Sequence, residues 1–468
     1  LAIFYLLITN YLQDISLCEN SLFLYTVKSH LVDIIYPLIS EISLKIHFNY
    51  LANDPTYNFS QNFRTMKLIK YFFFLPASIV LLLLSCNHTV TNLLQSGNWV
   101  SRTESPGDGR TQAACFVVGD TAYIGTGYYG TYNIRLNDFW AFALNGGWYQ
   151  VASTPTNTAD SGNGRNGAAA FAIGRNGYIT TGTNGYNMYT DTWAYNVDNN
   201  TWSQAASFPS TGRYGASAFT INSSAYVTCG YDNQYKKDNY QFTPSPTTNG
   251  CPGSWAQMAD IGIVGNASGL ADQSQIGTSD VYDVNAVYSA VGYPRNFAIA
   301  FVHTSPATPT NSNPTTYGYL VTGLGQSGTN VNDFYQFVPP NTTYNTAAGY
   351  TSGPKGTWLG LKEIQNVSTE SFDDDYSDIV RNSGVGFVMG DSAYITVGIN
   401  GGYTQKTWVY QFSADQWTRK TSFERVSRGN GVAFVIGGRG FVSSGNSGST
   451  YYFDLEEWQP YIALNTND

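Results

Sequence analysis

Six arginines recur in one setting, and their chemistry is the first in this chain that could bind something. Arg110, Arg165, Arg213, Arg295, Arg381 and Arg428 are each followed six residues later by Phe116, Phe171, Phe219, Phe301, Phe387 and Phe434. A guanidinium offers carboxylates a rigid fork of donors, so such a set would suit acidic ligands. Repetition points the other way: a ligand needs the group once or twice, whereas a scaffold needs it in every copy. Asp138, Asp191, Asp238 and Asp333 recur downstream of the first four arginines, and pairing with them is the expected use. At the matching places of the last two copies stand Lys406 and Thr450. Arg381, Arg428 and Lys406 are therefore the candidate receptors for an acidic ligand.

Other reactive groups are sparse. Beyond residue 86 the histidines are His88 and His303, the latter expected in a loop on the face opposite the arginines. Asp373, Asp374 and Asp375, with Asp378, gather carboxylates as a calcium loop does, but at no defined calcium spacing. Solvated acids, or acids paired with arginine, are the alternative. Cys115, Cys229 and Cys251 fit no metal-ligand spacing, and the first two read as small buried hydrophobes. Cys229 and Cys251 are expected at opposite ends of their strands, ~17 Å apart, which exceeds the ~7 Å reach of a disulfide. No phosphate loop or nucleophile elbow occurs. No metal or cofactor is expected, and a net charge of −9 disfavours a nucleic-acid partner.

The elements that must position these groups follow from the same repeat. Seven residues after the phenylalanine comes Tyr123, Tyr178, Tyr226, Tyr394 or Phe441; in the fourth copy Tyr319 is delayed by an insertion from His303 to Thr316. Four residues after each of these stands a glycine: Gly127, Gly182, Gly230, Gly323, Gly398 and Gly445. Runs such as Ala113 to Val118 are short and apolar and end at a Gly-Asp turn signal, which predicts a first strand of small residues turning into a second. Third strands are expected at Phe139 to Ala143, Trp193 to Val197, Tyr335 to Val338 and Trp408 to Phe412, and a tryptophan then opens a fourth. Those tryptophans are Trp148, Trp202, Trp255, Trp358, Trp417 and Trp458, large rings suited to sealing gaps between units. Forty-seven glycines, all at or after Gly97, and 36 tyrosines also suit an all-β chain rich in turns.

Four strands per copy with this signature resembles the kelch repeat, over residues 97–468. The resemblance implies an all-β, six-bladed kelch-type β-propeller with four antiparallel strands per blade. Kelch units carry two adjacent glycines after the second strand; here one remains, as in Thr126-Gly127 and Ser444-Gly445. Trp99 lies eleven residues before Arg110, the interval that also separates Trp202 from Arg213 and Trp417 from Arg428. The preferred reading is that the strand near Trp99 closes the ring on the last blade and removes an exposed edge. The alternative is that Trp458 supplies that strand and Trp99 lies outside.

In such blades the loop from strand two to strand three shares a face with the connection that carries the arginine. These loops are rich in Tyr, Asn and Gly, a composition suited to recognising a sugar or an extended peptide, or simply to solvation. Tyr128, Tyr186 and Tyr231 on them are candidate ligand-binding residues, and Tyr282, Tyr288 and Tyr293 of a later insertion could cap the mouth.

Residues 1–65 differ in composition and are taken as non-native upstream sequence. Met66 to Lys70 is basic, Tyr71 to Leu84 is apolar and shorter than a membrane span, and Leu83-Leu84-Ser85-Cys86 resembles the lipobox of bacterial lipoproteins. That resemblance implies a signal peptide over 66–85, lipid attachment at Cys86, a tether over 86–96 and a place in the bacterial cell envelope. The expected function is a lipid-anchored binding module that presents one face to a glycan, a peptide or an envelope or extracellular protein. The alternative is a metal-free mutarotase or epimerase similar to the sialic acid mutarotases. A copper oxidase like galactose oxidase needs two histidine ligands, which a domain containing His303 alone does not supply.

Overall fold

The computed structural model describes residues 97–155, 164–247, 251–262, 292–306, 314–344, 350–368 and 371–465. The expectations for the upstream sequence, signal segment, Cys86 and tether, and for Tyr282 and Tyr288, lie outside these residues.

Six four-stranded antiparallel sheets make a six-bladed β-propeller. Blade one runs Ala114–Val118, Thr121–Gly125, Phe139–Ala143 and Gly147–Val151 from the channel outward. Blades two to five begin with inner strands Ala169–Ile173, Ser217–Ile221, Ile299–Ser305 and Val385–Met389. The inner strands alternate between two surroundings, as in Ala114, Cys115, Phe116, Val117 and Val118, where Cys115 and Val117 are the less buried residues. Cys115, Ala170, Ala218, Ala300, Gly386 and Ala433 line the channel, where six strands converge and only small side chains fit.

The seven-residue spacing has a direct physical cause. Phe116 and Tyr123 are cross-strand partners, and so are Phe171 and Tyr178, Phe301 and Tyr319, and Phe434 and Phe441. All six pairs stack, with ring centroids 5.1–5.6 Å apart. The phenylalanine also lies over the next blade, where a β-carbon at Gly177 or Gly440 would strike Phe116 or Phe387. The indoles of Trp148, Trp202, Trp255 and Trp358 donate to carbonyls of Thr103, Ala152, Ala206 and Ala259, fastening each outer strand to the chain leaving the blade before.

Two closed rings of backbone hydrogen bonds join the blades. Gly127, Gly182, Gly230, Gly323, Gly398 and Gly445 donate to the carbonyls of Arg165, Arg213, Arg295, Arg381, Arg428 and Arg110. Nearer the axis, Gly167 donates to Gln112, Gly215 to Gly167, Phe297 to Gly215, Ser383 to Phe297, Asn430 to Ser383 and Gln112 to Asn430.

The strand carrying Trp99 closes the ring. Asn98–Ser101 pairs antiparallel with Leu455–Gln459 and forms the outermost strand of blade six, after Val432–Ile436 and Arg439–Ser443. Trp458 therefore opens no fourth strand: it lies on the third, directly across from Trp99 with ring centroids 5.0 Å apart. His303 is likewise not in a loop. Blade four has a longer inner hairpin, and His303 is buried on its strand with the imidazole stacked 3.7 Å from Phe412.

Candidate functional site

The six arginines are brackets within their own blades. Arg110 meets Asp138 through two bonds of 2.8 Å, and Arg165 meets Asp191 through two of 2.7 Å. Arg213 holds Asp238 in the same way, and Arg295 and Asp333 form a wholly buried pair. Burial works to raise the carboxyls of Asp138 and Asp191, but the bonds and charge of Arg110 and Arg165 outweigh it and hold both below the usual range.

Each arginine also donates to the carbonyl just before the repeated glycine, on Thr126, Thr181, Cys229, Thr322, Val397 or Ser444. All six of these residues have φ between +48° and +65°, a left-handed conformation that costs a residue with a β-carbon. The guanidinium thus fixes a strained turn whose following residue is glycine.

Arg428 is not free, which corrects the sequence expectation. Its partner is Asp454 at 2.6 Å, and Thr450 is not the matching residue. The spacing was legible: Asp454 lies nine residues after Gly445, just as Asp191 lies nine after Gly182. Among the described residues no carboxylate meets the Arg381 guanidinium, but it is fully buried and its nitrogens donate to the carbonyls of Ile379, Val397, Lys406 and Asp378. Burial lowers its pKa to about 9, countered in part by the charge of Asp378. Lys406 places its ammonium 2.5 Å from Asp378. None of the three presents an open cation to a ligand. The acidic run is also built into a loop, since Asp373 accepts from the backbone of Val367 and Ser368 and from the Ser368 hydroxyl.

What the arginine face does present is a mouth built from the two residues after each arginine. These pairs are Thr111-Gln112, Asn166-Gly167, Tyr214-Gly215, Asn296-Phe297, Asn382-Ser383 and Gly429-Asn430. The second residue of each is left-handed and belongs to the inner hydrogen-bonded ring. The first sits at an antiparallel bridge to the strand-two-to-three loop, as Thr111 does with Tyr128 and Tyr214 with Tyr231. The mouth opens into a cavity of about 210 Å³ along the channel. Its residues were readable as the variable pair beside an invariant arginine, a signal the reading of the spacing alone passed over.

Around this mouth stand the predicted tyrosines. Tyr128 meets Tyr451 edge to face, Tyr231 meets Tyr214 and Tyr235 in the same way, and Tyr186 is 87% exposed. Tyr293 is 46% exposed beside Arg295. Arg135, unnoticed in the sequence, lies 4.5 Å over the Tyr128 ring. Its Nε donates to Asn166 Oδ1 at 3.3 Å and its Nη1 to Asn133 Oδ1 at 3.0 Å, and no carboxylate among the described residues meets it. Tyr128, Tyr186 and Tyr231 thus share a face with Arg135, whereas Arg381 and Arg428 lie beneath it.

Fold and site together define a six-bladed β-propeller with an aromatic and amide-lined mouth on one face. No family model matches the chain, and no curated protein matches it. Among solved structures, one titled "Structure of YjhT" covers 75% of this chain and 95% of its own at a TM-score of 0.50. At 14% identity the likeness shows the fold alone.

Proposed function

We propose that the propeller is a binding module whose arginine face recognises a glycan. One observation carries this reading: the loops place exposed tyrosines, amides and one guanidinium that meets no acid among the described residues around a single mouth. Rigid aromatic faces and short amides form a surface that suits polyhydroxylated ligands, because stacking and adaptable hydrogen bonds act together there. The spaced Arg, Phe, second aromatic and Gly of each blade support membership of the kelch type. The lipobox-like Leu83-Leu84-Ser85-Cys86 supports a lipid anchor in a bacterial envelope, and the chain enters the ring at Asn98 beside Gln459, on the face away from the arginines.

A mutarotase or epimerase is the second reading, favoured by the same guanidinium, which meets no acid among the described residues and would hold a sugar carboxylate in an enzyme as well. That chemistry also needs a proton-transfer group beside the sugar. The groups bonded to Arg135 are amides, which bind and do not titrate.

The test is a glycan array probed with the full chain in detergent, beside a Tyr214→Ala/Phe297→Ala variant. Binding that the variant loses is the expected result. Binding to no glycan by a folded wild-type chain would refute the glycan reading and leave a peptide or protein ligand.

A further inference from the structure

Six blades bring the same backbone to the channel mouth, but their side chains break the symmetry in one sector. Blades two and three place Gly167 and Gly215 on the inner ring where the other four place Gln112, Phe297, Ser383 and Asn430. The two glycines make a bare floor. Added β-carbons would crowd its walls: one on Gly215 would lie 3.1 Å from the Phe297 ring, and one on Gly167 would lie 3.2 Å from Tyr214 Cβ and 3.5 Å from Gln112 Oε1.

The walls differ in chemistry. On one side Tyr214 and Phe297 pack with ring centroids 5.9 Å apart, and both rings are partly exposed. On the other a polar relay runs outward. Asn166 Nδ2 donates to Gln112 Oε1 at 2.5 Å, and Arg135 Nε donates to Asn166 Oδ1. The amide of Asn166 is thereby fixed in orientation, and the guanidinium is held between it, Asn133 and the Tyr128 ring. Among the described residues, Nη2 of Arg135 has no hydrogen-bond partner. All other arginines of the described residues are paired with acids, apart from the buried Arg381 and the exposed Arg419. A half-buried, pre-oriented cation across the glycine floor from an apolar platform is complementary to a carboxylate on a ring-shaped ligand. The cavity beneath, about 210 Å³, is smaller than the roughly 300–1,000 Å³ that engulfs whole ligands, so a chain would be gripped at one or two residues.

We propose that this sector binds an acidic glycan, with a uronate or ulosonate carboxylate on Arg135 and a sugar ring of the same chain on Phe297 and Tyr214. The proposal rests on the glycan reading of the face and adds the charge and the place of the recognised unit. The shared chemistry is a carboxylated pyranose, and hexuronans and sialylated chains are its two sources.

Calorimetric titration of the full chain in detergent tests it with four ligands: tetragalacturonate, its methyl ester, a sialyl-oligosaccharide and the same oligosaccharide without sialic acid. At least one acidic ligand is expected to bind tenfold or more tightly than its neutral counterpart, which also identifies the source. Arg135→Gln should abolish that preference, so that acidic and neutral ligands bind alike. Arg135→Lys, which keeps charge but not the fork, should fall between. Phe297→Ala should weaken acidic and neutral ligands alike. Equal binding of acidic and neutral ligands, or a preference that survives in Arg135→Gln, would overturn the acidic-unit proposal and leave the glycan face standing. Failure of all four ligands while other array glycans bind would overturn it in the same way. Failure of every glycan overturns both.

Discussion

At the scale of single residues, this fold tolerates a strained backbone because an arginine holds it. Thr126, Thr181, Cys229, Thr322, Val397 and Ser444 are left-handed without being glycine, and each has its carbonyl bonded to the arginine of its own blade. The hydroxyls of Thr322 and Ser444 are buried and have no hydrogen-bond partner among the described residues, and Ser444 is the smaller side chain to remove. Ser444→Gly should relieve the strain, roughly 1–3 kcal/mol for such a residue, and remove a buried orphan. The greater freedom of glycine in the unfolded chain offsets about 0.4–1 kcal/mol of that. A net gain of about 1 kcal/mol is expected in chemical denaturation, and a loss of stability would show that the hydroxyl has a role the geometry hides.

Among the elements, ring closure carries the most weight. A propeller left open would expose the third strand of blade six, and Asn98–Ser101 covers that edge with a four-residue pairing. The ladder is reinforced by side chains. Trp99 is 1% exposed and packs on Phe423 and Trp458, the Ser101 hydroxyl donates to Glu456, and Arg102 meets Glu457 at 2.6 Å. Trp99→Ala removes a buried indole from the joint between blades five and six. Such truncations cost about 3–5 kcal/mol, and the measured loss should lie in that range, with blade-six amides exchanging first in hydrogen-exchange experiments. A loss below about 1 kcal/mol would mean that the ring does not depend on this strand.

For the molecule as a whole, the carboxylates decide behaviour in acid. Asp138, Asp191 and Glu457 are held below their ordinary range despite burial, because arginines bond to them. A group depressed in this way stabilises the fold above its unfolded pKa of roughly 4 and loses that contribution as pH falls through its folded value. Glu456 runs the other way: burial raises it, more than Arg425 and Ser101 lower it, so it favours the fold as acid protonates it. Two of the depressed acids, Asp138 and Asp191, are built into the repeated brackets, and the sign of the depressed group should prevail. Urea midpoints are expected to stay level from pH 7 to about pH 5 and to fall steeply below pH 4. A midpoint that rises below pH 4 would show that Glu456 and its like outweigh the brackets.

The sequence was sufficient for the blade count and the closing strand, because each rests on local spacing, but not for Trp458, which lies on the third strand of blade six and opens no fourth. A phenylalanine and a tyrosine seven residues apart must meet across a two-residue turn, and a tryptophan at the interval of an outer strand needs a blade to complete. It was sufficient, too, for the pairing of the first four arginines, since one bond repeated in every blade leaves one acid at nearly one distance. The expectation of Thr450 fails in blade six, where Asp454 makes the bond and Arg428 is not free. Accessibility was beyond sequence altogether. Arg381 lacks an acid as its neighbours suggest, but the backbone carbonyls that replace it become neighbours only when three segments of blade five fold over the side chain. Arg135 shows the converse: nothing in its spacing marks it, and it is a candidate only because the fold brings Tyr128, Asn133 and Asn166 around it and no acid among the described residues. Periodic contacts are written in the chain, whereas the open cation at the mouth depends on which groups from different blades arrive beside it.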